Sequence, residues 1–167
     1  LETADVVLYD YLANPQLMQH CSPLAEKICL GSHAEGRVWS QQEINSAMIE
    51  KARAGKRVVR LKGGDPSIFG CGFQELEALE LANIPFEVVP GISAGIAAAA
   101  YAGIPITHRD SASAVAFVTG QERRGKQNSI HERPALAKFP GTLIIYMGTT
   151  TVEPVSYTHL RAHETVS

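Results

Sequence analysis

Residues 58–66 read Val58-Val59-Arg60-Leu61-Lys62-Gly63-Gly64-Asp65-Pro66. An apolar run stops at Lys62, and two glycines, a carboxylate and a proline follow at once. Gly, Asp and Pro are ordinary turn residues, but glycine also lets backbone come close to a bound molecule. Taken alone, the stretch fits a tight turn as well as a ligand loop. In either case it marks the end of a strand, and what flanks it sets the fold class.

Upstream, Ala4-Asp5-Val6-Val7-Leu8-Tyr9-Asp10 reads as a buried strand over Val6 to Tyr9 that delivers Asp10 at its C-terminal end. Asn14 followed by Pro15 opens a helix, and Glu26 to Gly31 holds a second short apolar run. Ser40 and Glu43 form an S-x-x-E capping box before a helix with Ile44, Ala47 and Met48 at helical spacing and Gly55 as its stop. Downstream, Phe73, Leu76 and Leu79 mark one stripe of a helix that ends near Asn83. Phe86 to Gly91 reads as another strand, and a small-residue helix follows, capped by Ser93 and ended at Gly103. Strands and helices alternating with short links predict an α/β domain on a largely parallel sheet.

The Pro-containing link around Ile104 to Arg109 precedes two fresh strands, in Ser113 to Gly120 and Gly141 to Gly148. The expected organisation is an N-terminal α/β domain over residues 1–110 and the start of a second over 111–155. From Ser156 to Ser167 the sequence continues no pattern. It is expected to be a non-native or disordered tail, with a native terminal helix as the alternative.

The chain has 167 residues with formal net charge -2, so no general basic footprint marks nucleic acid as the partner. No apolar run approaches the ~20 residues that span a bilayer. Cys21, Cys29 and Cys71 are odd in number and form no C-x-x-C pair, which points to reduced thiols in the cytoplasm. The histidines form no H-E-x-x-H pattern, and His159 and His163, four apart, fall in the tail, so no metal is expected. The chain begins at Leu1, without Met, and an upstream piece is expected to be missing, so the visible N-terminus does not decide whether a targeting segment precedes it.

In open α/β sheets, ligands sit beyond the carboxyl ends of the strands. There this sequence places Asp10, Gly63-Gly64-Asp65, Pro90-Gly91-Ile92-Ser93, Thr119-Gly120 and Met147-Gly148. No G-x-G-x-x-G opens a helix after a strand and no G-K-[ST] is present, so neither a dinucleotide fingerprint nor a phosphate loop is indicated.

The stretches 57–72, 86–109 and 141–148 closely resemble the uroporphyrinogen-III C-methyltransferases of the tetrapyrrole methylase family, over about Ala4 to Pro154. The resemblance implies a homodimeric, S-adenosylmethionine-dependent enzyme without a metal. Such an enzyme methylates two pyrrole carbons of uroporphyrinogen III, giving precorrin-2 on the way to sirohaem and cobalamin. It also implies two α/β domains with the cofactor between them. Gly63, Gly64, Asp65, Ile68, Ser93, Ala94 and Met147 match cofactor-contact positions, with Ser93-Ala94 in place of the usual Thr-Ala pair. Asp10 matches the proton acceptor and would act as general base.

The chain departs from the family pattern in three ways. It starts after the family's first strand and its G-A-G-P-G-D-P loop. It stops before most of the second domain, so the fragment by itself is expected to be inactive. Ser32 stands where many members carry a lysine proposed as proton donor, with His33 and Arg37 nearby as weak substitutes. Arg60, Lys62, Arg109, Arg123, Arg124 and Lys126 are the cations available to substrate carboxylates, and none is assigned. The alternatives are another methylase of the family, acting on a later precorrin, diphthamide or ribosomal RNA, and a non-catalytic adenosyl-binding module.

Overall fold

The computed structural model describes residues 1–32, 37–122, 136 and 138–148. The chain divides into two compact units, Leu1–Ala94 and Gly95–Ser167; the join lies inside the stretch expected to form the first domain.

The first unit is built on a parallel three-stranded sheet in the order β2-β1-β5, with β1 at Val6–Tyr9, β2 at Glu26–Cys29 and β5 at Val58–Leu61. A short antiparallel ribbon, β3 (Gly31–Ser32) and β4 (Arg37–Val38), follows β2. β1 is central and is buried on both faces. Val6 and Leu8 pack with Leu30, Ile44 and Met48 on one side, and Val7 packs with Ala4 and Cys21 on the other. Successive side chains of a strand point to opposite faces, so a continuous apolar run is what a doubly covered parallel strand needs.

Helix α1 (Gln41–Arg53) carries the expected capping box. The Ser40 amide donates to Glu43 Oε2 at 2.7 Å, and the Glu43 amide donates to Ser40 Oγ at 3.3 Å. Helices α1, α2 (Gly72–Leu81) and α3 (Ala94–Tyr101) all end in the same way. The Lys56, Ile84 and Ile104 amides reach back to the carbonyls of Lys51, Leu79 and Ala99, around Gly55, Asn83 and Gly103 in the left-handed region. The three stops expected from the sequence are therefore real caps.

Two local expectations are corrected. Asn14 caps its turn, with Oδ1 accepting from the Gln16 amide at 2.9 Å, but Pro15–His20 is a 3-10 helix, the form short pieces favour. The stretch 86–91 joins no ladder. It and the edge strand β5 line one groove of about 1010 Å³, and pairing needs a neighbour about 4.8 Å away. Phe73, on the apolar stripe of α2, is 77% exposed. Phe73, Leu76 and Leu79 line that same groove, and α2 instead buries Gly72 and Glu75.

In the second unit β6 (Val115–Thr119) pairs in parallel with β7 (Thr142–Tyr146), the two strands read from the sequence. The Gly95 amide donates to the Tyr146 hydroxyl at 3.1 Å, and Phe117 meets the Tyr146 ring edge-on at 5.8 Å. Among the described residues no helix is long and apolar enough to cross a membrane.

Candidate active site

β1 and β5 run in register, Tyr9 opposite Leu61, so Asp10 and Lys62 leave the sheet side by side. The Asp10 amide still donates to the Leu61 carbonyl at 3.4 Å. The loop after β1 then passes the loop after β5: a Cβ on Gly63 would lie 3.5 Å from the Leu12 carbonyl oxygen.

The loop after β5 also meets the stretch before α3. Gly64 has φ +72°, and a Cβ there would lie 3.6 Å from the Ala94 nitrogen and 3.8 Å from Ser93 Cα. A Cβ on Gly91 would overlap the Gly64 carbonyl oxygen. Asp65 clasps the two loops together. Its Oδ2 accepts from the Gly91 amide at 3.0 Å, and its Oδ1 accepts from the Ser67 amide at 2.9 Å and from the Ser67 hydroxyl. These bonds, the Ser67 hydroxyl's first, hold the Asp65 carboxyl below its ordinary value of 3.8, while burial acts in the opposite direction.

Three loops at the carboxyl ends of the strands thus converge, and they bring Asp10, Gly63, Gly64, Asp65, Ser93 and Ala94 to one edge of the first unit. Gly63 and Gly64 are exposed there, and Ser93 is buried. Ile68, half-buried, sits in the same turn, its amide donating to the Asp65 carbonyl at 3.3 Å. Met147, with φ 55° and 46% exposed, ends β7 in the second unit.

Behind Asp10 lies a cluster that the sequence reading did not find. Arg60 Nη2 donates to Asp10 Oδ1 at 2.6 Å, Arg60 Nε to Glu75 Oε1 at 3.1 Å, and Arg60 Nη1 to the Leu61 carbonyl at 2.9 Å. Lys62 Nζ donates to both Glu75 oxygens at 3.1 Å. The side chains of Arg60, Lys62 and Glu75 are 12%, 9% and 5% exposed, and that of Asp10 is 33% exposed. Arg60 and Lys62 are therefore committed to internal carboxylates and are withdrawn from the cations open to a substrate. Two residues apart, they share a face by strand alternation, a hint that a buried anion stands opposite.

Arg109 is exposed, whereas Arg123, Arg124 and Lys126 lie outside the described residues, as do His33, His159, His163 and the tail. Ser32 pairs with Arg37 across β3 and β4. Cys21, Cys29 and Cys71 are free thiols. Among the described residues no three His, Cys, Asp or Glu side chains gather as a metal site.

A parallel α/β sheet with its special residues gathered beyond the strand ends defines a ligand-binding class, and comparison with known proteins makes it specific. The chain belongs to the tetrapyrrole (corrin/porphyrin) methylases, whose family model matches residues 1–165. Its relatives include a siroheme synthase of Photorhabdus laumondii, 48% identical over 168 residues, covering 99% of this chain and 35% of the relative. A uroporphyrinogen-III C-methyltransferase of Bacillus subtilis is 48% identical over 156 residues, covering 93% of this chain and 60% of the relative. The chain therefore spans between 35% and 60% of these two relatives' lengths.

Among solved structures, a cobalt precorrin-4 methyltransferase superposes with TM-score 0.82 at 28% identity, covering 98% of this chain and 66% of that one. The uroporphyrin-III C-methyltransferase of Thermus thermophilus, complexed with S-adenosylhomocysteine, superposes with TM-score 0.74 at 35% identity, covering 97% and 66%. These likenesses bear out the tetrapyrrole methylase fold expected from the sequence.

Proposed function

We propose that the protein carrying this chain is an S-adenosylmethionine-dependent uroporphyrinogen-III C-methyltransferase that makes precorrin-2 for sirohaem and cobalamin. The observation that carries the reading is the convergence of the three strand-end loops beside an oriented, partly open carboxylate. The residues fit the cofactor: Gly63 and Gly64 offer a shelf of bare, exposed backbone walled by Ser93 and Ala94, suited to a ligand held by main-chain contacts. Gly63, Gly64, Asp65, Ile68, Ser93 and Ala94 would hold it, and the resemblance makes Met147 a further cofactor contact. S-adenosylmethionine, when bound, supplies an activated methyl group to an electron-rich pyrrole carbon.

The chain's own task is then to orient and to receive a proton. Asp10 has one oxygen anchored by Arg60, and its Oδ2 takes no hydrogen bond from the described residues. That free lone pair is the acceptor for the proton the methylated pyrrole system releases, a service worth about 10²–10⁴-fold in rate. Holding donor and acceptor in line supplies on the order of 7–11 kcal/mol of the barrier reduction.

The same reading carries a homodimer, the division near residue 110 and a cytoplasmic location, the last supported by three unpaired thiols. The test is transfer of labelled methyl from S-adenosylmethionine to uroporphyrinogen III by the full-length protein. Product with two added methyl groups is expected. Binding of the cofactor without transfer would replace the enzyme reading with that of an adenosyl-binding module.

A further inference from the structure

Glu75 is a buried acid on the first turn of α2, tied to the start of the loop after β5 through Lys62. It accepts from Arg60 Nε at 3.1 Å, from Lys62 Nζ at 3.1 Å on both oxygens, and from Gln41 Nε2 at 3.4 Å. Two cations and two carboxylates balance here, and of the four ionic side chains Asp10 is the most exposed, at 33%. Arg60 is held at three points. Glu75 grips Nε, the Leu61 carbonyl accepts from Nη1, and Nη2 is left aimed at Asp10. A guanidinium is planar and rigid, so fixing two of its nitrogens fixes the direction of the third.

We propose that Glu75 is a positioning residue for the methyl-transfer reaction: it locks the Arg60 guanidinium, which in turn sets the direction of the Asp10 carboxylate. This rests on the reading of Asp10 as the base. Glu75 touches neither substrate nor cofactor and acts only through Arg60. Its removal frees the plane of Arg60 to turn about its long side chain, and Asp10 then loses its single orientation. A misplacement of about 1 Å at a reacting group can cost about 10²-fold in rate.

The experiment uses the full-length protein with S-adenosylmethionine and uroporphyrinogen III. Glu75→Gln keeps the shape and removes the charge. Because it leaves Lys62 without its carboxylate, the double variant Glu75→Gln/Lys62→Met is made beside it to restore neutrality. The expected result in both is kcat lowered about 10–100-fold, with the dissociation constant of S-adenosylmethionine unchanged and Glu75→Asp recovering part of the rate. Each substitution is then repeated with Asp10→Asn. If Glu75 works through Asp10, the second change adds almost no further loss, since residues that act as a unit are non-additive.

Undiminished kcat in the neutral double variant overturns the proposal. So do full, additive losses in the Asp10→Asn background, which would mark Glu75 as serving the fold alone. Normal turnover by Asp10→Asn itself overturns the base reading and this proposal with it, a pattern distinct from failure of the Glu75 link alone.

Discussion

Gly91 shows how little room a single residue has in this site. The Gly64 carbonyl stands where a Gly91 side chain would begin, so the two loops touch through bare backbone. Gly91→Ala must push them apart, and forcing extra volume into such a contact costs roughly 1–3 kcal/mol. The displaced atoms include the amide that Asp65 accepts from. The expected outcome is a lower denaturation midpoint together with weaker S-adenosylmethionine binding, read by urea titration and calorimetry on the same sample. Wild-type values in both would mean that the loops do not meet as described. The residue scale also explains why Asp10 serves as neither turn nor cap through its side chain: its backbone carbonyl accepts from the Ala13 amide, and its carboxylate goes to Arg60.

At the scale of elements, Asp65 joins the end of β5 to the approach to α3 across 26 residues. Its carboxyl is held below 3.8 by the Ser67 hydroxyl, the Gly91 amide and the Ser67 amide. A folded-state value below the unfolded one means that the clasp stabilises the fold in full above 3.8. It is lost as pH falls through the lower, folded value. Acidification should therefore release the Gly91 amide only below pH 3.8, which carboxyl and amide chemical shifts followed together by NMR would report. A midpoint at or above 3.8 would remove the clasp. The helices are simpler, because each is defined by its own ends: a capping box before α1 and left-handed stops after all three.

For the whole molecule, stability in the first unit concentrates on β1, the one strand among the described residues with neighbours on both edges and packing on both faces. Leu8 is fully buried there, and Leu8→Ala should cost about 2–5 kcal/mol, as core truncations do. Leu24 is 95% exposed, and its truncation should stay within about 0.5 kcal/mol. Denaturant unfolding of the two variants side by side tests this. Equal effects would show that β1 is not the centre of the core.

The sequence alone determined what short-range physics governs. Caps, stops and the Val6–Tyr9 and Val58–Leu61 strands depend on residues within a few positions of one another, so pattern and turn chemistry reveal them. The gathering of special residues beyond the strand ends followed from the alternation of strand and helix. The tertiary structure alone decided the rest. Asp10 meets Arg60 across 50 positions, and Arg60 meets Glu75 across 15. Periodicity therefore marked the stripe of Phe73, Leu76 and Leu79 on α2 but not Glu75, the acid that the fold buried among cations. Residues 86–91 have a strand's composition and no strand's pairing, because a ladder requires a neighbour at hydrogen-bonding distance and composition cannot supply one.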